Sequence, residues 1–163
     1  MPESTSPMPP LAMPGLPVGE IAPAPSGVAI TVCAPFSTVT TPCSTADVQA
    51  DRLHAASRFA AEHGVVTVLK GAHTMIATPD GSGAISPTGN PGMASGGMGD
   101  VLSGIVGGLL AQGLDPMAAA SLGVYAHGAA ADAVVARRGE AGLLAGDLVD
   151  ELPPTLARLQ GYL

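Results

Sequence analysis

The chain has 163 residues, 47% of them hydrophobic but only 2% aromatic, so its core must be built from Ala, Val, Leu, Ile and Met. Thirteen acidic side chains against six basic ones leave a formal charge of −7, which makes nucleic acid and an anionic membrane poor partners for the chain as a whole. If it binds phosphates, backbone N–H groups, a few cations or a metal must hold them.

Residues 1–43 differ in kind from the rest. Ten of the sixteen prolines lie there, the only charges are Glu3 and Glu20, and the first basic residue is Arg52. Repeated proline excludes helix and central strand, so the segment reads as disordered or polyproline-like, with one short strand possible over Val28 to Val32. Cys33 and Cys43 are too few for a disulfide framework and lack metal-ligand spacing, so they read as free thiols. The segment has no charged leader followed by an apolar stretch, and nowhere is a run of ~20 apolar residues uninterrupted. The expectation is a cytoplasmic protein.

From Ser44 the text changes. Ser44 and Asp47 have the spacing of a capping box, and Asp47 to His63 is predicted as an amphipathic helix stopped by Gly64. Val65 to Leu69 follows as a buried parallel strand, and Lys70-Gly71-Ala72-His73-Thr74 lies at its carboxyl end, where open α/β sheets gather ligands. Met75 to Thr78 and Ala84 to Ser86 are predicted as strands around a turn at Pro79 to Gly83. A glycine loop, Asn90 to Gly99, then opens into a helix carrying Asp100 in its first turn. Gly104, Gly107 and Gly108 weaken that helix, which predicts close packing against a neighbour. Asp115 and Pro116 start an alanine-rich helix to about Arg138. Two short helices, Asp147 to Leu152 and Pro154 to Leu159, are predicted on either side of Pro153-Pro154.

The glycine loop is the chemical centre of the sequence. Glycine lets a backbone approach a ligand, and the free N–H groups of a helix start attract anions. Gly96, Gly97, Met98 and Gly99 therefore form a candidate phosphate loop, although neither the P-loop nor the Rossmann spacing is present. Asp100 reads as a general base for a hydroxyl attacking a phosphoryl group, or as a helix cap. Lys70 reads as a phosphate contact or as a snorkelling strand-end lysine, and His73 and Thr74 could line the same mouth. Taken alone, Asn90 is a turn residue, His127 a satisfied core histidine and Asp132 a surface residue. Asp147 is a cap within possible reach of the site. His54 and His63 are solvated.

Lys70-Gly71-Ala72-His73-Thr74, Asn90-Pro91-Gly92-Met93-Ala94-Ser95-Gly96-Gly97-Met98-Gly99-Asp100, Gly123-Val124-Tyr125-Ala126-His127-Gly128 and Gly142-Leu143-Leu144-Ala145-Gly146-Asp147 occur in that order. Together they resemble the ADP/ATP-dependent NAD(P)H-hydrate dehydratases of the ribokinase-like superfamily. The resemblance implies a partial three-layer α/β fold over residues 44–163, mainly helices with a few strands. It implies dehydration of the S epimer of NAD(P)H hydrate, coupled to ADP or ATP cleavage with Mg²⁺ present, giving NAD(P)H, AMP and phosphate. Lys70, Gly71, Ala72, His73, Thr74 and Gly99 would then bind nucleotide, Asn90 and Asp100 would bind the hydrate, and Asp100 would be the base. No residue is implied as a protein ligand to the metal.

The resemblance stops at Ser44. A Thr-Pro-His-Pro segment expected on the hydrate is missing, since Thr41-Pro42 is followed by Cys43. Residues 1–43 therefore read as disordered or as non-native translation. Loss of the N-terminal strands predicts an uncovered sheet edge at Val65 to Leu69, and with it poor solubility or dependence on another chain such as a second copy. A nucleotide-binding fragment without turnover and a ribokinase-like small-molecule kinase stand as alternatives.

Overall fold

The structure, a computed structural model, describes residues 30–33 and 45–161. Its order is β1 (Ile30–Cys33), α1 (Thr45–Ala50), α2 (Arg52–His63), β2 (Val66–Leu69), β3 (Met75–Ala77), β4 (Gly83–Ile85), a 3₁₀ turn (Pro91–Met93), α3 (Met98–Ala111), α4 (Pro116–Arg138) and α5 (Ala145–Leu159). The four strands lie side by side in chain order. β1 and β2 are parallel, and β2, β3 and β4 are successively antiparallel.

The sheet separates two helical layers, and the two-residue period of a strand sorts the side chains between them. Val66, Val68 and Ile76 pack with Leu102 and Val106 of α3 and Val124 of α4. Leu69 and Ala77 face the other way, onto Ala56 and Ala60 of α2. A third cluster, with Met98, Ala131, Leu143 and Leu148, ties the start of α3 to α4 and α5. This is the three-layer arrangement expected from the sequence.

The short strand expected over Val28 to Val32 forms at Ile30–Cys33. The rest of the Pro-rich segment lies outside the described residues, as does the expected cap Ser44. β1 pairs from Ile30↔Val66 to Cys33↔Leu69, so the edge of β2 expected to stand open carries a strand.

Three predicted elements differ. The helix expected over Asp47 to His63 is two helices, because the Asp51 carboxylate accepts the His54 N–H at 3.0 Å and restarts the helix as a cap. The two C-terminal helices are one, running through Pro153 and Pro154. Buried Leu148 and Thr155 flank the prolines on one face, and Glu151 receives Arg158 from beyond them at 2.8 Å and Arg137 of α4 at 2.5 Å. These contacts offset the hydrogen bonds that proline removes. In α3, a methyl group at Gly104, Gly107 or Gly108 would meet nothing within 4 Å, so these glycines are not there for close packing. Close approach occurs instead on α4: a methyl at Gly123 would lie 2.6 Å from Val106 Cγ2.

Candidate functional site

The exit of β2 is built around Arg52. Its Nη2 donates to the carbonyls of Leu69 at 3.2 Å and Lys70 at 3.1 Å, and its Nη1 donates to the carbonyl of Ala72. Gly71 has φ 147, and a methyl there would lie 2.7 Å from Arg52 Nη2, so only glycine lets the chain wrap the guanidinium. Thr74 Oγ1 donates back to the Gly71 carbonyl at 3.2 Å, and His73 sits at φ 55. The exposed turn 71–73 is thereby held in one shape.

Lys70 shares the strand parity of Val66 and Val68 and so leaves the sheet toward α3. Its Nζ lies 3.9 Å from where a Cβ on Gly99 would be. Partial burial pulls its ammonium below the ordinary lysine range, and the nearby Asp100 carboxylate opposes that shift. Asp100 itself is exposed in the first turn of α3.

The start of α3 has no side-chain cap. Gly97, at φ 84, is the N-cap residue. The first-turn N–H groups of Met98, Gly99 and Asp100 are therefore left for an external acceptor, with the positive end of the helix dipole behind them. Gly96 and Gly97 are exposed, and a methyl at Gly96 would meet nothing within 4 Å. The loop rests on the start of α5: Ser95 Oγ donates to the Leu143 carbonyl at 3.2 Å, and a methyl at Gly97 would lie 3.0 Å from Ala145 Cβ. Asp147 accepts the Leu144 N–H at 2.8 Å and pairs with Arg138, so it caps and braces α5.

His127 of α4 lies behind this centre. It is core, as expected, but not satisfied: it is 3% exposed and its Nε2 has no partner among the described residues. Its pKa is held down to about 4, first by burial, then by the positive charge of Lys70, with a hydrogen bond to the Met98 backbone acting the other way. The folded pKa lies below the unfolded value of about 6.5, so the unfolded chain takes the proton first as pH falls. Stability is full above pH ~6.5 and declines toward pH ~4, by up to roughly 3 kcal/mol. Melting temperature against pH should show this slope, and His127→Gln should flatten it. The hydrogen-bonded carboxylate of Asp80, depressed to about 2, acts only at lower pH.

Asn90 opens the loop. Its Nδ2 donates to Asp132 Oδ1 at 2.8 Å, and the neighbouring Gly89 N–H donates to Asp132 Oδ2 at 2.9 Å. Asn90 Oδ1 is buried without a partner among the described residues.

The structure thus brings Lys70, Gly96, Gly97, Met98, Gly99 and Asp100 to one place. Gly71 to Thr74 run directly on from Lys70, and Asn90 stands at the far end of the loop. His54 and His63 are exposed. Sequence reasoning missed Arg52 and took Asp132 for a surface residue. Neither belongs to a local motif, because their partners lie 17–20 and 42–43 residues away. Among the described residues no cluster of three or more His, Cys, Asp or Glu could hold a metal ion, and no helix is long and apolar enough to cross a membrane.

The sequence model of the family described as NAD(P)H-hydrate dehydratase matches residues 37–154. The chain belongs to that family. A bifunctional NAD(P)H-hydrate repair enzyme from Moorella thermoacetica is 54% identical over 115 residues, which is 71% of this chain and 22% of the relative. The crystal structure of an ADP/ATP-dependent NAD(P)H-hydrate dehydratase from Bacillus subtilis, co-crystallised with ATP/Mg²⁺, superposes with a TM-score of 0.77 at 37% identity. That match covers 85% of this chain and 50% of the other. A ribokinase-like superfamily protein from Enterococcus faecalis gives a TM-score of 0.59 at 28% identity, covering 80% of this chain and 44% of that one. The fold is ribokinase-like, and the chain spans between about a fifth and a half of the length of these relatives.

Proposed function

We propose that this chain carries the nucleotide-phosphate half of an ADP- or ATP-dependent dehydratase acting on the S epimer of NAD(P)H hydrate. One observation carries the reading: the Lys70 ammonium lies over the uncapped first turn of α3, beside the exposed Asp100 carboxylate. Cation, N–H groups and base converge where a phosphoryl group meets an attacking hydroxyl.

Lys70 and the turn Gly71 to Thr74 bind the nucleotide, and the N–H groups around Gly96 to Gly99 hold the transferred phosphoryl. Asp100 accepts the proton of the hydrate's hydroxyl as that oxygen attacks the terminal phosphoryl of ADP and AMP departs. Loss of phosphate from the phosphorylated carbon, with loss of the proton on the adjacent ring carbon to solvent, then restores the double bond, giving NAD(P)H, AMP and phosphate. The residues present suit Mg²⁺ only as a companion of the nucleotide's phosphates, with Asp100 the carboxylate in the helical turn that follows the loop, since Mg²⁺ is often held by one carboxylate plus phosphates. Bound there, it would neutralise phosphate charge.

Residues 44–163 form the C-terminal part of the dehydratase domain in this reading, and β1 of the Pro-rich segment completes its edge. The substrates are soluble metabolites, which suits a cytoplasmic protein.

Phosphate release from ADP should depend on added NADH hydrate. Lys70→Ala should reduce kcat/KM for the nucleotide by roughly 10- to 100-fold, the value of a lost charge-assisted contact. Nucleotide binding without phosphate release would favour a non-enzymatic fragment instead.

A further inference from the structure

We propose that Asp132 is a positioning residue of the site: it fixes the Asn90 carboxamide, and with it the entry of the glycine loop. The inference rests on the dehydratase reading of that loop.

The segment ahead of the loop is fastened to one face of α4. Thr88 Oγ1 donates to the Tyr125 carbonyl at 3.1 Å. The segment then crosses Gly128 so closely that a methyl there would lie 2.3 Å from Thr88 Oγ1. One turn further along α4, Asp132 takes both the Gly89 N–H and the Asn90 Nδ2. No cation pairs with Asp132 among the described residues, so its charge is met by these two donors alone. Hydrogen bonds to a carboxylate are about twice as strong as neutral ones.

A carboxylate only accepts, so Asp132 allows one orientation of Asn90, with its NH₂ toward α4. The Asn90 oxygen is then turned inward over the loop, 3.0 Å from where a Cβ on Gly92 would be. An uncharged partner would not enforce this. Asp132→Asn still accepts from Gly89, but it offers NH₂ to Asn90, whose carboxamide must turn over and bring NH₂ against Gly92. The exchange Asn90→Asp with Asp132→Asn restores both hydrogen bonds and again leaves an oxygen facing inward.

The test uses the full chain and two measurements. Without ligand, hydrogen exchange over 89–97 should be faster by roughly 10-fold or more in Asp132→Ala and return to wild type in the double exchange. In the dehydration assay, Asp132→Asn should lose about 10- to 100-fold in kcat, with KM for nucleotide within ~3-fold. A purely structural role would lower the melting temperature of Asp132→Asn and leave its kinetics wild type. That result, or exchange over 89–97 no slower in the double exchange than in Asp132→Asn alone, overturns the inference. If the wild-type chain turns over no hydrate, the dehydratase reading fails by itself. Exchange rates then decide: loosening in Asp132→Ala with recovery in the double exchange supports the anchoring, and equal rates in all variants overturn it.

Discussion

Asp100→Asn should lower kcat for hydrate dehydration by about 10²- to 10⁴-fold, the span of a lost general base, and leave nucleotide binding intact or slightly tighter. The two effects separate because a carboxylate beside phosphates repels them, and the amide does not. Lys70 gains nothing from the change, since Asp100 is the group that supports its charge against burial. Stability should hardly move. Asp100 is exposed, no side chain caps α3, and a carboxylate in the first turn of a helix is worth ~0.3–1 kcal/mol through the dipole. Single-turnover kinetics with calorimetric nucleotide binding would show the split. Equal losses in binding and turnover would count against Asp100 as the base.

Gly128→Ala should destabilise the chain by roughly 1–3 kcal/mol, the usual cost of overpacking, and displace the head of the glycine loop. In the middle of a helix this substitution ordinarily stabilises by ~1 kcal/mol. The sign reverses here because the added methyl would lie 2.7 Å from the Thr88 carbonyl carbon as well as against its side chain, and backbone cannot rotate away. The segment would have to lift off α4, taking Gly89 and Asn90 from Asp132. Activity should fall with it, since a shift of about 1 Å at a site can cost ~10²-fold. Gly104→Ala is the matched control. That glycine is exposed on α3 with nothing within 4 Å of the added methyl, so it should stabilise by a few tenths to ~1 kcal/mol. Thermal melts of the two variants decide between close approach and helix propensity.

The same pair of glycines marks where the sequence was legible. The loop, Asp100 in its first helical turn and Lys70 at a strand end are local patterns, and each stands where its neighbours in sequence put it. Glycine inside a helix is ambiguous: three in α3 face open space, while Gly123 and Gly128 of α4 meet a neighbour at less than 3 Å. Composition cannot separate the two cases, because the deciding atom belongs to another element. Arg52 is hidden for the same reason. As sequence it is an ordinary first-turn residue of α2, and its role appears only when the exit of β2 folds around it. Asp132 looks like a surface carboxylate until the segment 42 residues earlier is laid across α4. Pro153-Pro154 misled in the opposite direction, since a strong local breaker was overridden by Glu151, which pairs across the break with Arg158 and onto α4 with Arg137.

The most direct measurement follows absorbance at the NADH band after the purified chain is mixed with hydrated NADH, Mg²⁺ and ADP or ATP. The proposed chemistry predicts recovery of that band with one phosphate released per NADH restored, and its loss in Asp100→Asn. A wild-type chain that binds the nucleotide but leaves the band flat would contradict it.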